Sequence, residues 1–264
     1  MKFLYNIGDR RLDKDAKIEA VIQKFLKDVF GQKYYYLKII EFLPKSSECF
    51  ACQVEGVAIP KEKKIRLKYE SFIDAYNEKS NTIDNQEVLG TLVHEMQHLI
   101  NNEQYSTLFS LIKDSTDLGY VKCGMSNLLD ECLASYWAFK IVPDSFSGIL
   151  EYISKIPEDV FKKKANPYSL YLNIIIIIGN FIGETKAIYE NSGVDEWSRR
   201  CQNIKDNQFL HILQLAKDAI ESMEQPEEYL QKGRNVTIEL LKYVGADFEF
   251  LKGVDEIEKQ RSKI

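Results

Sequence analysis

Residues 84–102 read DNQEVLGTLVHEMQHLINN. Val88, Leu89, Leu92, Val93, Met96, Leu99 and Ile100 recur at three- and four-residue intervals, the mark of an α-helix with one apolar face. Asp84 is placed to cap that helix, with Glu87 three residues on as in a capping box, and Asn85 competes for the same place. Two of the chain's three histidines, His94 and His98, fall within it. Four residues apart on a helix, they share a face with Cβ atoms about 5–6 Å apart.

Two imidazoles so spaced can converge on one ion at about 2.0–2.1 Å. Glu95, rotated about 100° from His94, can lie beside that ion without ligating it. Metal-assisted hydrolysis asks for this arrangement: a zinc ion lowers the pKa of bound water, and an adjacent carboxylate takes up the proton. Chance alone produces H-E-x-x-H in roughly one of 100–200 chains of this length. Here the match lies in an apolar-periodic helix with a cap, and it uses two histidines of a histidine-poor chain.

Around this helix the composition is that of an ordinary globular protein. At 264 residues, 45% apolar and 28% charged, the chain can bury roughly 70–75% of its unfolded surface, so no metal is needed merely to hold it together. Basic residues number 35 against 40 acidic, for a net charge of −5. The lysines and arginines are scattered, and the footprint of a nucleic-acid binder is missing. The opening MKFLYNIGDRR has too short an apolar run for a signal-peptide core. LYLNIIIIIGNFIG (170–183) is interrupted by Asn173, Gly179 and Asn180 and is shorter than the roughly 18–20 residues of a membrane span, so it reads as a buried core helix. The five cysteines are odd in number and irregularly spaced, which suits reduced thiols in a cytoplasm. Cys49 and Cys52 form one C-x-x-C, but a zinc ribbon needs two. They lie in what reads as a strand and are expected to be packed thiols.

Periodicity divides the chain into two parts. Residues 12–30 read as an amphipathic helix that stops at Gly31. Segments 34–43, 50–59 and 64–72 are rich in aromatic and β-branched residues and read as strands of a small, mainly antiparallel sheet. Beyond residue 84 the pattern is helical, over 86–102, 126–141, 145–155, 168–190, 206–223 and 227–244, ending in a charged tail. The expected fold is α+β with a mostly helical C-terminal half. Pro143 marks the candidate boundary between a domain of residues 1–142 and a helical region of 143–264.

A third metal ligand is required. The metzincin pattern would place Gly and His at positions 101 and 104, where this chain has Asn101 and Gln104, so that class is excluded. LLDECLASYWAFK (128–140) offers Glu131, with Asp130 as its competitor, on the next strong helical pattern. Ala134 and Ala138 would let that helix approach closely, and Ser135, one turn past Glu131, could serve as a hydrogen-bond partner behind the ligand.

At this point the chain resembles the gluzincin metallopeptidases, in which HExxH is followed by Glu on a later helix. Residues 50–140 are similar to the compact peptidases of the ImmA/IrrE type, which cleave repressor proteins. The resemblance implies a zincin-like active-site region, Zn2+ held by His94, His98 and Glu131, and Glu95 as general base. It implies a polypeptide substrate, such as a regulatory protein, laid along KIRLKYE by strand addition. Ser135 stands where larger gluzincins have Asp. For the oxyanion, Tyr120, Tyr136 and His211 are the candidates.

Other readings explain fewer residues. A two-histidine, one-carboxylate iron site does not call for Glu95 between the histidines. A di-iron bundle needs a second E-x-x-H, and the residue three before His211 is Gln208. The rival outside enzymes is a protein-binding regulator with a structural or vestigial zinc. Structural zinc usually takes four protein ligands, and three are evident here.

Overall fold

The computed structural model describes residues 1–264 except 9–11, 49–54, 146–147, 163–165 and 262–264. Cys49 and Cys52, and the first part of the strand expected at 50–59, lie outside the described residues. The elements fall into two compact units, each built from two stretches of chain: Met1–Gln104 with Tyr136–Ser147, and Tyr105–Ser135 with Gly148–Ile264. The boundary expected at 142–143 falls a few residues before the last of these crossings.

The first unit is a small sheet with helices on one face. It runs β1 (Lys2–Tyr5), α1 (Leu12–Phe30), a 3₁₀ turn (Gly31–Tyr36), β2 (Ile39–Leu43), β3 (Gly56–Ile59), β4 (Lys64–Lys68), α2 (Tyr69–Ala75), the short pair β5 (Tyr76–Asn77) and β6 (Thr82–Ile83), then α3 (Gln86–Gln104). The strand order is β1-β2-β4-β3.

β1 lies parallel to β2 with Lys2 opposite Ile39, β2 lies parallel to β4 with Ile39 opposite Lys64, and β3 alone is antiparallel, Gly56 opposite Leu67. The sheet is thus mostly parallel, correcting the expectation of a mainly antiparallel one. The reason is connectivity: α1 links β1 to β2 as a crossover, which returns the chain in the same direction. The four-residue KFLY of β1 was too short to read as a strand. The tyrosines at 34–36 belong to the 3₁₀ turn, not to β2.

Alternation along β2 and β4 separates two faces. Ile40, Phe42, Ile65 and Leu67 meet Ile18, Ile22 and Leu26 of α1 and Leu92, Met96 and Leu99 of α3 in one core. Each such side chain, fully buried, contributes on the order of 1.5–3 kcal/mol. The opposite face carries charge. There the Glu41 carboxylate accepts from Arg66 Nε at 2.8 Å and Asn6 Nδ2 at 2.6 Å, with Lys64 Nζ at 3.3 Å. β4 therefore lies inside the sheet, paired on both sides, and KIRLKYE is not an edge. Among the described residues the edges are β1 and β3.

The second unit is helical: α4 (Ser106–Asp114), most of α5 (Gly119–Ile141), α6 (Ile149–Tyr152), α7 (Ile156–Lys162), α8 (Pro167–Ser192), α9 (Glu196–Cys201), α10 (Asn207–Glu221), α11 (Pro226–Tyr243) and α12 (Phe248–Arg261). α8 starts with Asn166 Oδ1 accepting from Tyr168 N and Pro167 in the first turn, and stops at Gly193, whose φ is 73°. By length and composition α8 alone among the described helices could cross a membrane, yet 67% of its apolar window is buried inside the fold. Tyr171, Ile174, Ile175, Ile178 and Phe181 share a core with Met125, Leu128 and Leu129 of α5, Leu213 of α10 and Leu240 of α11. The isoleucine run is the heart of the second unit.

Candidate metal centre

Asn85, not Asp84, caps α3. Its Oδ1 accepts from the backbone N–H of Glu87 at 2.9 Å and of Val88 at 3.2 Å. Asp84 is occupied in the preceding hairpin, accepting from the Thr82 hydroxyl and from Asn77 Nδ2 at 2.6 Å. From this start the apolar stripe turns into the first core, while Val93 packs in a small buried cluster with Ala138 and Val142 at the C-terminal end of α5. The close packing that a small residue at 138 suggested is present. His94 is half-buried and His98 buried. Their rings meet edge to face, centroids 4.7 Å apart and planes at 84°.

One potential ligand atom from each of His94, His98 and Glu131 lies within 4.8 Å of the other two, and this is the one such group among the described residues. Glu131 takes part and Asp130 does not. Donors bound to a tetrahedral ion at about 2.0–2.2 Å are roughly 3.3–3.6 Å apart, and this group is one that could hold an ion. Two imidazoles and a carboxylate form a donor set that suits a divalent ion, zinc and iron included. Cys132, next to Glu131, is fully buried, and burial pushes its thiol up to about 12, with the Lys186 charge opposing only in part. It stays a protonated packing residue.

Glu95 is buried against the sheet. The room for it is made by Gly56 at the start of β3: a Cβ there would stand 2.8 Å from Glu95 Cγ and 3.0 Å from Thr91 Cγ2. Glu131 has its own support. The Asn180 amide reaches Glu131 Oε2 at 3.0 Å, Glu131 carbonyl O at 3.1 Å and Ser135 Oγ at 2.8 Å. A carboxylate and a carbonyl can only accept, so the atom facing them is Nδ2, which donates. Gly179 allows this approach, since a Cβ there would lie 2.9 Å from Leu128 O and 3.1 Å from Glu131 Cβ.

Ser135, expected to support the ligand, is buried and belongs to this same hydrogen-bonded group. Tyr136 is half-buried with its ring edge-on to Trp137 at 5.3 Å. Five residues past Glu131, it points about 140° away around the helix. Tyr120 is eleven residues before Glu131, about 16 Å along α5. Its ring lies 5.3 Å from that of Tyr168, and its carbonyl accepts from Tyr171 Oη at 2.9 Å. His211 is exposed on α10 between residues that face the core and is not part of the histidine–glutamate group.

Sequence reasoning passed over Asn180, Gly179 and Gly56. Asn180 gave a signal that was used only to argue against a membrane span: an amide buried in an apolar helix must find hydrogen-bond partners. Gly179 reads along the chain only as a break in the apolar run and Gly56 gives no signal, because the role of each depends on what lies opposite.

Compared with models of known protein families, with curated proteins and with solved structures, the chain matches none of them.

Proposed function

We propose that this protein is a zinc-dependent peptidase in which His94, His98 and Glu131 hold the ion and Glu95 is the general base. The observation that carries the reading is the three-donor group, with Glu95 directly after the first ligand on a helix that fixes both. A zinc ion held there would acidify a water and polarise the scissile carbonyl. The protein's part is to take up the proton from the attacking water on the Glu95 carboxylate and return it to the departing amine. Burial of Glu95 beside β3 keeps that carboxylate in one orientation while the chemistry proceeds.

An extended substrate is best served by β3. Lys68 N–H donates to Glu55 O at 3.2 Å, which makes that pair hydrogen-bonded. Alternation along an antiparallel pair then turns the backbone groups of Gly56 and Ala58 away from β4. Strand addition along this edge would lay a peptide beside Glu95 with backbone hydrogen bonds independent of sequence.

The test is metal analysis of the purified protein with proteome-wide cleavage mapping against Glu95→Gln. Retained zinc with hydrolysis lost is the expected result. Unaltered hydrolysis would remove Glu95 from its role. A protein that binds zinc but cleaves nothing in either form would favour the regulatory, non-catalytic alternative.

A further inference from the structure

We infer that Asn180, on α8, is the positioning residue for the carboxylate of Glu131, a role that rests on the zinc reading above. Its amide nitrogen lies within hydrogen-bond distance of Glu131 Oε2, Glu131 O and Ser135 Oγ, at 3.0, 3.1 and 2.8 Å. One donor group thus meets both the side chain and the backbone of the same residue, which fixes the carboxylate relative to its own helix.

Three observations converge on this arrangement. Asn180 is 8% exposed, just past the buried isoleucine run, and a buried amide is retained only where it is satisfied. Gly179 removes the side chain that would strike Leu128 O and Glu131 Cβ, bringing the α8 backbone against α5 at the level of the ligand. Ser135, one turn past Glu131, offers its Oγ as a further acceptor to the same amide nitrogen at 2.8 Å. A simple packing role would be met by leucine, which has the same shape without the donor. Partners that orient a metal ligand typically change affinity 10- to 100-fold when removed.

The experiment compares wild type, Glu131→Ala, Asn180→Leu and Asn180→Ala. Zinc affinity is measured by competition with a chromophoric chelator, and the cobalt-substituted forms are compared by visible absorption. Circular dichroism and melting of the metal-free proteins report folding. Asn180→Leu is expected to weaken zinc binding 10- to 100-fold and to alter the cobalt spectrum, with metal-free melting little changed. If Leu fails to fold, Asn180→Ala carries the same expectation. Wild type binding no zinc, or Glu131→Ala binding as wild type does, sinks the zinc reading itself. Tight wild-type binding, lost in Glu131→Ala but kept within twofold and with an unchanged cobalt spectrum in the folded Asn180 variant, overturns the inference alone.

Discussion

α3 and α8 both bury polar groups among apolar ones, and they convey their chemistry in opposite ways. In α3 the polar groups come as a spacing: two histidines one turn apart with a glutamate between them define a geometry before any fold is known. In α8 a single asparagine follows five isoleucines, and nothing in its neighbours along the chain says what it is for. A pattern of side chains on one helix is local information. A lone donor acquires meaning only from the acceptors of another helix. The comparison teaches that a candidate ligand pair can be read from sequence, while a residue proposed to hold a candidate ligand in place is read from the fold.

The largest expected effects test whether the α3 pattern and Glu131 form one site. Glu131→Ala should weaken zinc binding by more than about 100-fold, since it removes a ligand rather than a supporting partner. Asp130→Ala should leave zinc affinity within about twofold of wild type. The reverse result, read by chelator competition, would move the carboxylate ligand one residue along α5. Glu95→Gln should lower hydrolysis by at least about 100-fold with zinc content unchanged, the usual scale of general-base catalysis.

Gly56→Ala comes next and acts on α3 from the sheet. Its new Cβ would press on Glu95 Cγ at 2.8 Å, so the base must shift. We expect peptide hydrolysis to fall about 10- to 100-fold, because misplacement by about 1 Å is costly, while zinc affinity stays as in wild type. Equal loss of zinc and activity would mean that the strand supports the histidines rather than the glutamate. Gly179→Ala is the counterpart in α8. Its Cβ would meet backbone at Leu128 O, which cannot rotate away, and overpacking of this kind costs about 1–3 kcal/mol in denaturant melts.

These glycines mark where the sequence stopped being legible. Helices α1, α3, α8, α10 and α11 were readable nearly to their ends because apolar periodicity is a property of neighbours in the chain. The α+β class followed from the order of such segments. Strand direction did not, because it depends on the connections: α1 carries the chain back so that β2 runs parallel to β1, and the antiparallel β3–β4 pair turns β4 parallel to β2. Placing KIRLKYE at the edge failed for the same reason, since the hairpin puts β3 outside it. The His94–His98 pair was legible because its spacing lies on one helix; that Glu131 rather than Asp130 joins the group is seen only in the fold. Asp84 reads as the better cap than its competitor Asn85 because the hairpin that occupies Asp84 is a contact made before the helix begins.

The smallest expected effect compares two carboxylates that differ in how far away their partners lie along the chain. Glu41, buried on the charged face of the sheet, suffers desolvation that would raise its pKa, but hydrogen bonds from Arg66 and Lys64 outweigh this and hold it below the usual range. Glu196 is held low in the same way by Arg199 and Arg200, three and four residues away on one short helix. A depressed carboxyl pKa means stability that is present above the unfolded value near 4.5 and is lost as pH falls through the folded value. Unfolding separates Glu41 from partners 23 and 25 residues away on β4, whereas Glu196, equally buried, has its partners three and four residues away on one helix, where they stay near it along the chain. Glu41→Gln should therefore cost about 1–3 kcal/mol at pH 7 and flatten the loss of stability between about pH 5 and 3. Glu196→Gln should change both by much less. Urea melts across that pH range measure both variants, and a larger effect at Glu196 would show that distance along the chain is not what separates the two.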